Sequence, residues 1–207
     1  MSSLFPMFLK LAGRQALVVG AGKVGEGKIA GLFDTGARVR VVAREASVAV
    51  REWARDGRIE LDLRSFSVGD LDGAFIAVVA TASRDLNEFI YREAQLRGVL
   101  CNVVDVPEFC DYFYPAVVRR GDLQIAISTS GQSPALARKL RQQLDQQFGP
   151  GYAAWVAELG ETRRLVQASD LAPERKRDLL LSLASREALE AALAEAPALV
   201  TTKGEIA

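Results

Sequence analysis

Four apolar residues, Ala16-Leu17-Val18-Val19, run directly into Gly20-Ala21-Gly22-Lys23-Val24-Gly25. This junction limits the fold more than any other part of the chain. A short continuous apolar run suits a strand buried on both faces of a parallel sheet. The GxGxxG that follows it opens a helical pattern, which is the context that gives these glycines a meaning. Gly20 permits the tight turn, and Gly22 lets backbone approach a pyrophosphate. Gly25 lets the helix pack close to the strand. The free N–H groups and positive dipole end of that helix favour phosphate. Gly20, Gly22, Lys23, Val24 and Gly25 are therefore candidate contacts for a dinucleotide such as NAD, and the plainer alternative is a glycine-rich turn without a ligand.

The rhythm of strand and helix continues. Val24 to Asp34 reads as a helix stopped at Gly36, and Val39 to Val42 as the next strand. Ser47 caps a helix carrying Val48, Val50 and Trp53, with Gly57 after it. Ile59 to Leu63 alternates and reads as an edge strand. Phe75 to Ala80 is apolar throughout and reads as central. Asp85 to Arg97 is a helix closed by Gly98, and Val99 to Val104 is another apolar strand. Such alternation predicts an α/β fold, a Rossmann-type doubly wound parallel sheet.

An acidic residue about 20 positions past the glycines usually holds the ribose hydroxyls of NAD. Here the second strand ends Val42-Ala43-Arg44, and Glu45 comes slightly late. Arg44 suits a 2′-phosphate, which favours NADP, or stacking on adenine. Thr81, just past the Phe75–Ala80 strand, and Asn102 are further candidate cofactor contacts. Asp105 follows the last apolar strand, at the sheet edge where ligands of open α/β folds bind. It is the candidate catalytic residue, although a short acidic side chain before Pro107 also suits a plain turn.

After Tyr114-Pro115 the pattern changes. Ala116 to Arg119 and Leu123 to Ser128 read as two strands joined at Arg120-Gly121-Asp122. Ser133 and Pro134 open a helix whose Leu136, Leu140, Leu144 and Phe148 recur every four residues. From Tyr152 onward the chain reads helical, over 152–167, 173–183 and 185–195, with a frayed end at 201–207. The predicted division is 1–113, 114–149 and 150–207. Ser128, Thr129 and Ser130 precede a helix N-terminus, a place that serves for capping and also binds anions. Between 114 and 151 stand Arg119, Arg120, Arg138, Lys139 and Arg141 against only Asp122 and Asp145. A solvated helix face looks similar, but a small polyanionic ligand would use such a patch.

Composition removes other chemistries. There is no histidine among the 207 residues, which excludes a Ser-His-Asp triad and a His-based zinc site. No protein-held metal is expected. Lys+Arg and Asp+Glu both number 26, so no basic excess marks a nucleic-acid binder. No stretch approaches a membrane helix. The N-terminus lacks a basic n-region and a small-residue cleavage site, which reads as cytoplasmic. Cys101 and Cys110 are too few for a disulfide framework and read as structural.

Three segments together resemble one family. They are Leu17-Val18-Val19-Gly20-Ala21-Gly22-Lys23-Val24-Gly25 with Lys28, Cys101-Asn102-Val103-Val104-Asp105-Val106-Pro107, and Ser128-Thr129-Ser130-Gly131-Gln132-Ser133-Pro134-Ala135-Leu136-Ala137-Arg138. The family is precorrin-2 dehydrogenase, which includes the dehydrogenase/ferrochelatase module of siroheme synthase. The resemblance implies NAD-dependent conversion of precorrin-2 to sirohydrochlorin, with ferrous iron inserted by some members. It implies a homodimer whose residues near 114–148 are exchanged, which makes that stretch a small α+β dimerisation segment ahead of a C-terminal helical domain. It aligns Asp105 with the family's key aspartate, and places a position phosphorylated in some members at Ser128 or Thr129. With no methyltransferase sequence, the chain resembles the stand-alone members. The basic residues Arg119, Arg120 and Arg138, with Ser128, Thr129 and Ser130, would hold the carboxylates of the tetrapyrrole.

Two rival readings use the same glycine loop. An NAD-sensing regulatory domain of a transport system usually has an acidic residue at the second strand tip and no need of the Asn-Val-Val-Asp-x-Pro segment. Dehydrogenases of other small substrates often lean on a histidine, which this chain lacks.

Overall fold

Leu17, Val18, Val41, Val42, Val78 and Val79 are all fully enclosed, as strands with apolar residues on both faces require. The computed structural model describes residues 4–185 together with 187, 188 and 190. Five parallel strands, β1 (Gln15–Ala21), β2 (Arg38–Ala46), β3 (Glu60–Leu63), β4 (Ala74–Val79) and β5 (Leu100–Val103), form one sheet in the order β3-β2-β1-β4-β5. Helices α1 (Lys23–Ala30), α2 (Val48–Arg55) and α3 (Arg84–Leu96) alternate with them. One apolar cluster gathers Val18, Ile29, Val41, Val50 and Val78 from β1, β2, β4 and the first two helices. A second gathers Leu17, Val42, Val79, Ile90 and Val103, with α3. Alternate residues of the same strands feed the two clusters, so the sheet is covered on both faces. This is the doubly wound Rossmann-type sheet that the apolar runs predict. The order of strands reverses between β1 and β4, and that is where such sheets bind ligands.

Local physics moves several boundaries. The predicted helix over Val24–Asp34 stops at Ala30. Gly27 and Gly31 weaken it, and the chain tightens into a single 3-10 turn at Phe33–Thr35, ended by Gly36 at φ 69. The strand expected over Val39–Val42 runs on to Ala46, because a bulge lets Ala46 pair with Ala21 and Ser47 N–H donate to Ala21 O at 3.0 Å. Ser47 caps α2 as expected, accepting from Val50 N–H. β3 is an edge strand. β5 lies at the other edge, where residues 110–112 partly cover it: Asp111 accepts from Cys101 N–H at 2.8 Å and donates its own N–H to Cys101 O.

The chain divides into two units, Met1–Tyr114 and Pro115–Ala207. In the second, β6 (Ala116–Arg120) and β7 (Leu123–Ile127) form an antiparallel hairpin turning at Gly121, φ 56. Helices α4 (Pro134–Gln147), α5 (Gly151–Ala168) and α6 (Pro173–Leu183) follow. Ser133 accepts from Leu136 N–H and Pro134 begins α4, the expected cap. The helix expected over 185–195 lies largely outside the described residues, as does the end at 201–207. Among the described residues no helix is long and apolar enough to cross a membrane.

Candidate dinucleotide cleft and strand-end carboxylate

The turn after β1 is built by close approach. Gly20 has φ 102, and a Cβ there would lie 2.4 Å from Ala80 O. A Cβ on Gly25 would lie 2.1 Å from Gly20 O, so α1 rests directly on the strand end. Gly22 differs, because a Cβ on it meets nothing within 4 Å. It is the N-cap of α1 and supplies no side-chain cap, so the first N–H groups of the helix have no side-chain acceptor. Open space beside uncapped amides is what a pyrophosphate needs, and these residues fit a dinucleotide.

A cleft of about 1020 Å³ extends from this turn along the strand ends. Its walls come from Gly20–Gly22, Ala43–Glu45, Arg64–Phe66 and Ala80–Ser83. The sequence candidates Gly20, Gly22, Arg44, Glu45 and Thr81 all line it. Lys23 and Val24 are exposed at the start of α1, and Gly25 is buried beneath the turn. Arg44 and Glu45 are exposed at the end of β2.

Two features of these walls escape sequence reasoning. Thr81 donates its hydroxyl to Asn87 Oδ1 at 2.6 Å, while Asn87 Nδ2 donates to Thr81 O at 3.1 Å. Buried Asn87 thus locks the wall after β4. Its sequence signal was only a polar residue on the inner face of α3. Arg64 is held from behind by Asp70, donating at 2.8 Å to one oxygen and 2.5 Å to the other, and also donates to Asp62. Arg40 joins Asp62 at 2.7 Å and Asp70 at 3.3 Å. The Arg64 guanidinium, with Ser67 N–H, holds the Asp70 carboxyl below the usual carboxylate range despite its burial.

Asn102 does not line the cleft. It is buried, and its amide donates to Tyr112 O at 2.7 Å and to Cys110 Sγ at 3.3 Å. This candidate cofactor residue uses its side chain to pin the 110–112 segment. Cys101 is fully buried, and burial pushes its thiol up to about 12. Cys110 donates to Val103 O at 3.1 Å and Val106 O at 3.3 Å, with its thiol also raised by burial.

Asp105 stands beyond β5, exposed, at φ 62. Only Asp105 and Ser130 among the described non-glycine residues have positive φ. Val106 N–H donates to Val103 O at 3.2 Å across the turn, and Cys110 grips the carbonyls on both sides of Asp105. Asp105 is not among the cleft-lining residues, but it occupies the same C-terminal edge of the sheet. From the neighbouring helix Lys28 sets Nζ 3.9 Å from the centroid of the Tyr114 ring.

In the second unit Ser128 accepts from Ser130 N–H at 3.1 Å and Thr129 from Ser133 N–H at 3.1 Å. Ser128 and Ser130 are exposed and Thr129 half-buried. Arg119 and Arg138 are exposed, whereas Arg120 is half-buried, bound to Asp145 Oδ1 at 3.0 Å and to Asp145 O at 2.8 Å.

Known proteins share this arrangement. A family model described as NAD(P)-binding matches residues 7–116, and one described as sirohaem biosynthesis protein central matches 120–147. A siroheme synthase from Nitrosococcus oceani is 40% identical over 147 residues, 71% of this chain and 31% of that protein. One from Pseudomonas paraeruginosa is 36% identical over 195 residues, 93% of this chain and 42% of that protein. The chain thus spans less than half the length of these curated relatives. Among solved structures, SirC, a precorrin-2 dehydrogenase, superposes with a TM-score of 0.77 at 28% identity, covering 90% of this chain and 92% of that one. The chain belongs to the NAD(P)-binding family, and along nearly its whole length it is similar to the siroheme synthases and to a precorrin-2 dehydrogenase.

Proposed function

We propose that this chain is an NAD-dependent dehydrogenase that converts precorrin-2 to sirohydrochlorin in siroheme biosynthesis. Two hydrogens leave the macrocycle, one as a hydride and one as a proton. Each turnover therefore consumes one NAD+ and releases one NADH and one proton. When bound, NAD supplies the hydride acceptor. The uncapped start of α1 and the open space at Gly22 hold its pyrophosphate. Arg44 and Glu45, on the cleft wall, would hold the adenosine end, and Thr81 borders the cleft beside β4. Asp105 accepts the proton, directly or through water.

Asp105 carries this reading. A non-glycine residue held at positive φ costs about 1–3 kcal/mol, and such strain concentrates at functional sites. The relatives named siroheme synthase and the neighbour named precorrin-2 dehydrogenase support the substrate.

In the second unit Arg119, Arg138 and the Ser128–Thr129–Ser130 segment bind substrate carboxylates. Arg120, already engaged by Asp145, orders the hairpin against α4 and contributes less. The protein acts as a homodimer formed through 114–148. Ferrous iron is a second substrate: its insertion into sirohydrochlorin releases two pyrrole protons, which Asp105 also accepts. A dinucleotide co-substrate and two free cysteines suit the cytoplasm.

Anaerobic turnover of precorrin-2 with NAD, followed by the visible spectrum and NADH absorbance, tests the reading. Sirohydrochlorin and NADH form together with the wild-type protein. Asp105→Ala abolishes turnover while calorimetry still detects NAD binding. Near-normal rates in that variant would remove Asp105 from the chemistry.

A further inference from the structure

We propose that Arg64 is the platform on which the adenine ring of the dinucleotide stacks, offered as the flat face of a guanidinium whose terminal N–H groups are already taken. The inference rests on the dinucleotide reading of the cleft given above and names the residue that selects the base.

Strand order fixes which wall meets the adenosine. The glycine turn follows β1, at the middle of the order β3-β2-β1-β4-β5. Asp105 stands past β5, to one side of that turn. A dinucleotide whose reacting ring points that way lays its adenosine over the ends of β2 and β3. Ala43 and Leu63 are paired neighbours in these two strands, so Arg44 and Arg64 leave the sheet side by side. Both line the cleft.

The wall at Arg64 is fixed. Phe66 packs against the second apolar cluster, and Ser65 O accepts from Arg64 Nη1 at 2.9 Å. Nη1 also donates to Asp70 Oδ2 at 2.8 Å. Nη2 donates to Asp70 Oδ1 at 2.5 Å and to Asp62 Oδ2 at 3.2 Å. Each terminal nitrogen carries two hydrogens, so all four are committed in the plane of the group. Only the Nε–H has no acceptor among the described residues, and one N–H cannot make the two-pronged contact that phosphate favours. Charge points the same way. Arg40 and Arg64 stand against Asp62 and Asp70, which leaves this cluster no surplus cation for a phosphate dianion. The side chain is nevertheless 41% exposed. What it still offers a ligand is its face, and guanidinium faces stack on aromatic rings. Buried Asp70 thus turns an arginine suited to anions into a seat for a flat base.

Calorimetry on the full chain tests this with three ligands: NAD, NADP, and nicotinamide cytosine dinucleotide, in which a single pyrimidine ring replaces adenine. Arg64→Ala weakens NAD about tenfold and NADP by the same factor. It weakens the cytosine analogue less, so the preference for adenine shrinks. Arg64→Lys keeps the charge but not the flat face, and loses NAD affinity as the alanine variant does. Asp70→Asn frees one terminal N–H and leaves the cluster one positive charge in surplus, so NADP gains several-fold relative to NAD. Wild-type NAD affinity in Arg64→Ala, or an equal loss for all three ligands, overturns the platform. A loss confined to NADP means that Arg64 binds the 2′-phosphate by its edge, which also overturns it. Should Arg64→Ala fail to fold with Asp70 left facing it, Arg64→Lys and Asp70→Asn decide by the same ratios. Wild-type protein that binds none of the three ligands overturns the dinucleotide reading itself, an outcome distinct from tight NAD binding that ignores Arg64.

Discussion

Gly22 and Gly25 belong to one motif but serve different ends. Gly22 faces open space, while Gly25 faces a carbonyl oxygen that a Cβ would meet at 2.1 Å. Gly22→Val should therefore fold with an unchanged melting temperature and lose NAD affinity by calorimetry, because its side chain enters the pyrophosphate position. Gly25→Ala should lose about 1–3 kcal/mol of stability in denaturant unfolding, since backbone rather than a flexible side chain must move. Unaltered NAD affinity in Gly22→Val would refute the loop assignment. Wild-type stability in Gly25→Ala would show that α1 does not rest on the strand end.

At the scale of elements, the charged network Arg40-Asp62-Arg64-Asp70 ties β2 and β3 to the 3-10 turn at Val68–Leu71, behind one wall of the cleft. Asp70 is almost fully enclosed, and its carboxyl is held below the usual range chiefly by Arg64. Its folded-state pKa is depressed, so the charged form contributes stability above the ordinary carboxylate value. That contribution fades as the pH falls through the folded value. Asp70→Asn should cost about 2 kcal/mol at neutral pH by chemical denaturation, a figure reduced because Arg64 is partly exposed. The gap between variant and wild type should narrow below about pH 4. A gap independent of pH would mean that Asp70 acts by shape and hydrogen bonding, not by charge.

At the scale of the whole molecule, the two units bury apolar residues unequally. Among the described residues of the second unit only Val118, Ala137 and Val166 are buried hydrophobics. Its sheet has two strands, which is marginal alone. The stripe of Leu136, Leu140 and Leu144 on α4, continued by Phe148 at its C-cap, stays incompletely covered, with Leu136 48% exposed. A second copy of the chain would supply the missing cover. The protein should sediment at twice its monomer mass at micromolar concentration, and Leu136→Asp should shift it toward monomer. A wild-type monomer at that concentration would count against the dimer and against shared carboxylate binding.

Much of this fold is legible in the sequence. The apolar runs marked β1, β2, β4 and β5, the alternation of β3 marked an edge, and Ser47, Ser133 and Pro134 marked helix starts. All are local signals, readable from spacing of a few residues. The glycine loop carried the dinucleotide reading because its chemistry lies in the backbone, which glycine alone exposes. What only the tertiary structure decided depends on contacts between distant residues. The order β3-β2-β1-β4-β5 comes from crossovers that no local pattern encodes. The extension of β2 to Ala46 needed Ala21 beside it. The side-chain amide of Asn102 donates to Tyr112 O and Cys110 Sγ, because a buried polar group binds whatever partner the fold brings near. The positive φ of Asp105 and the seat of Lys28 on Tyr114 arise likewise, from segments that meet only after the sheet has formed.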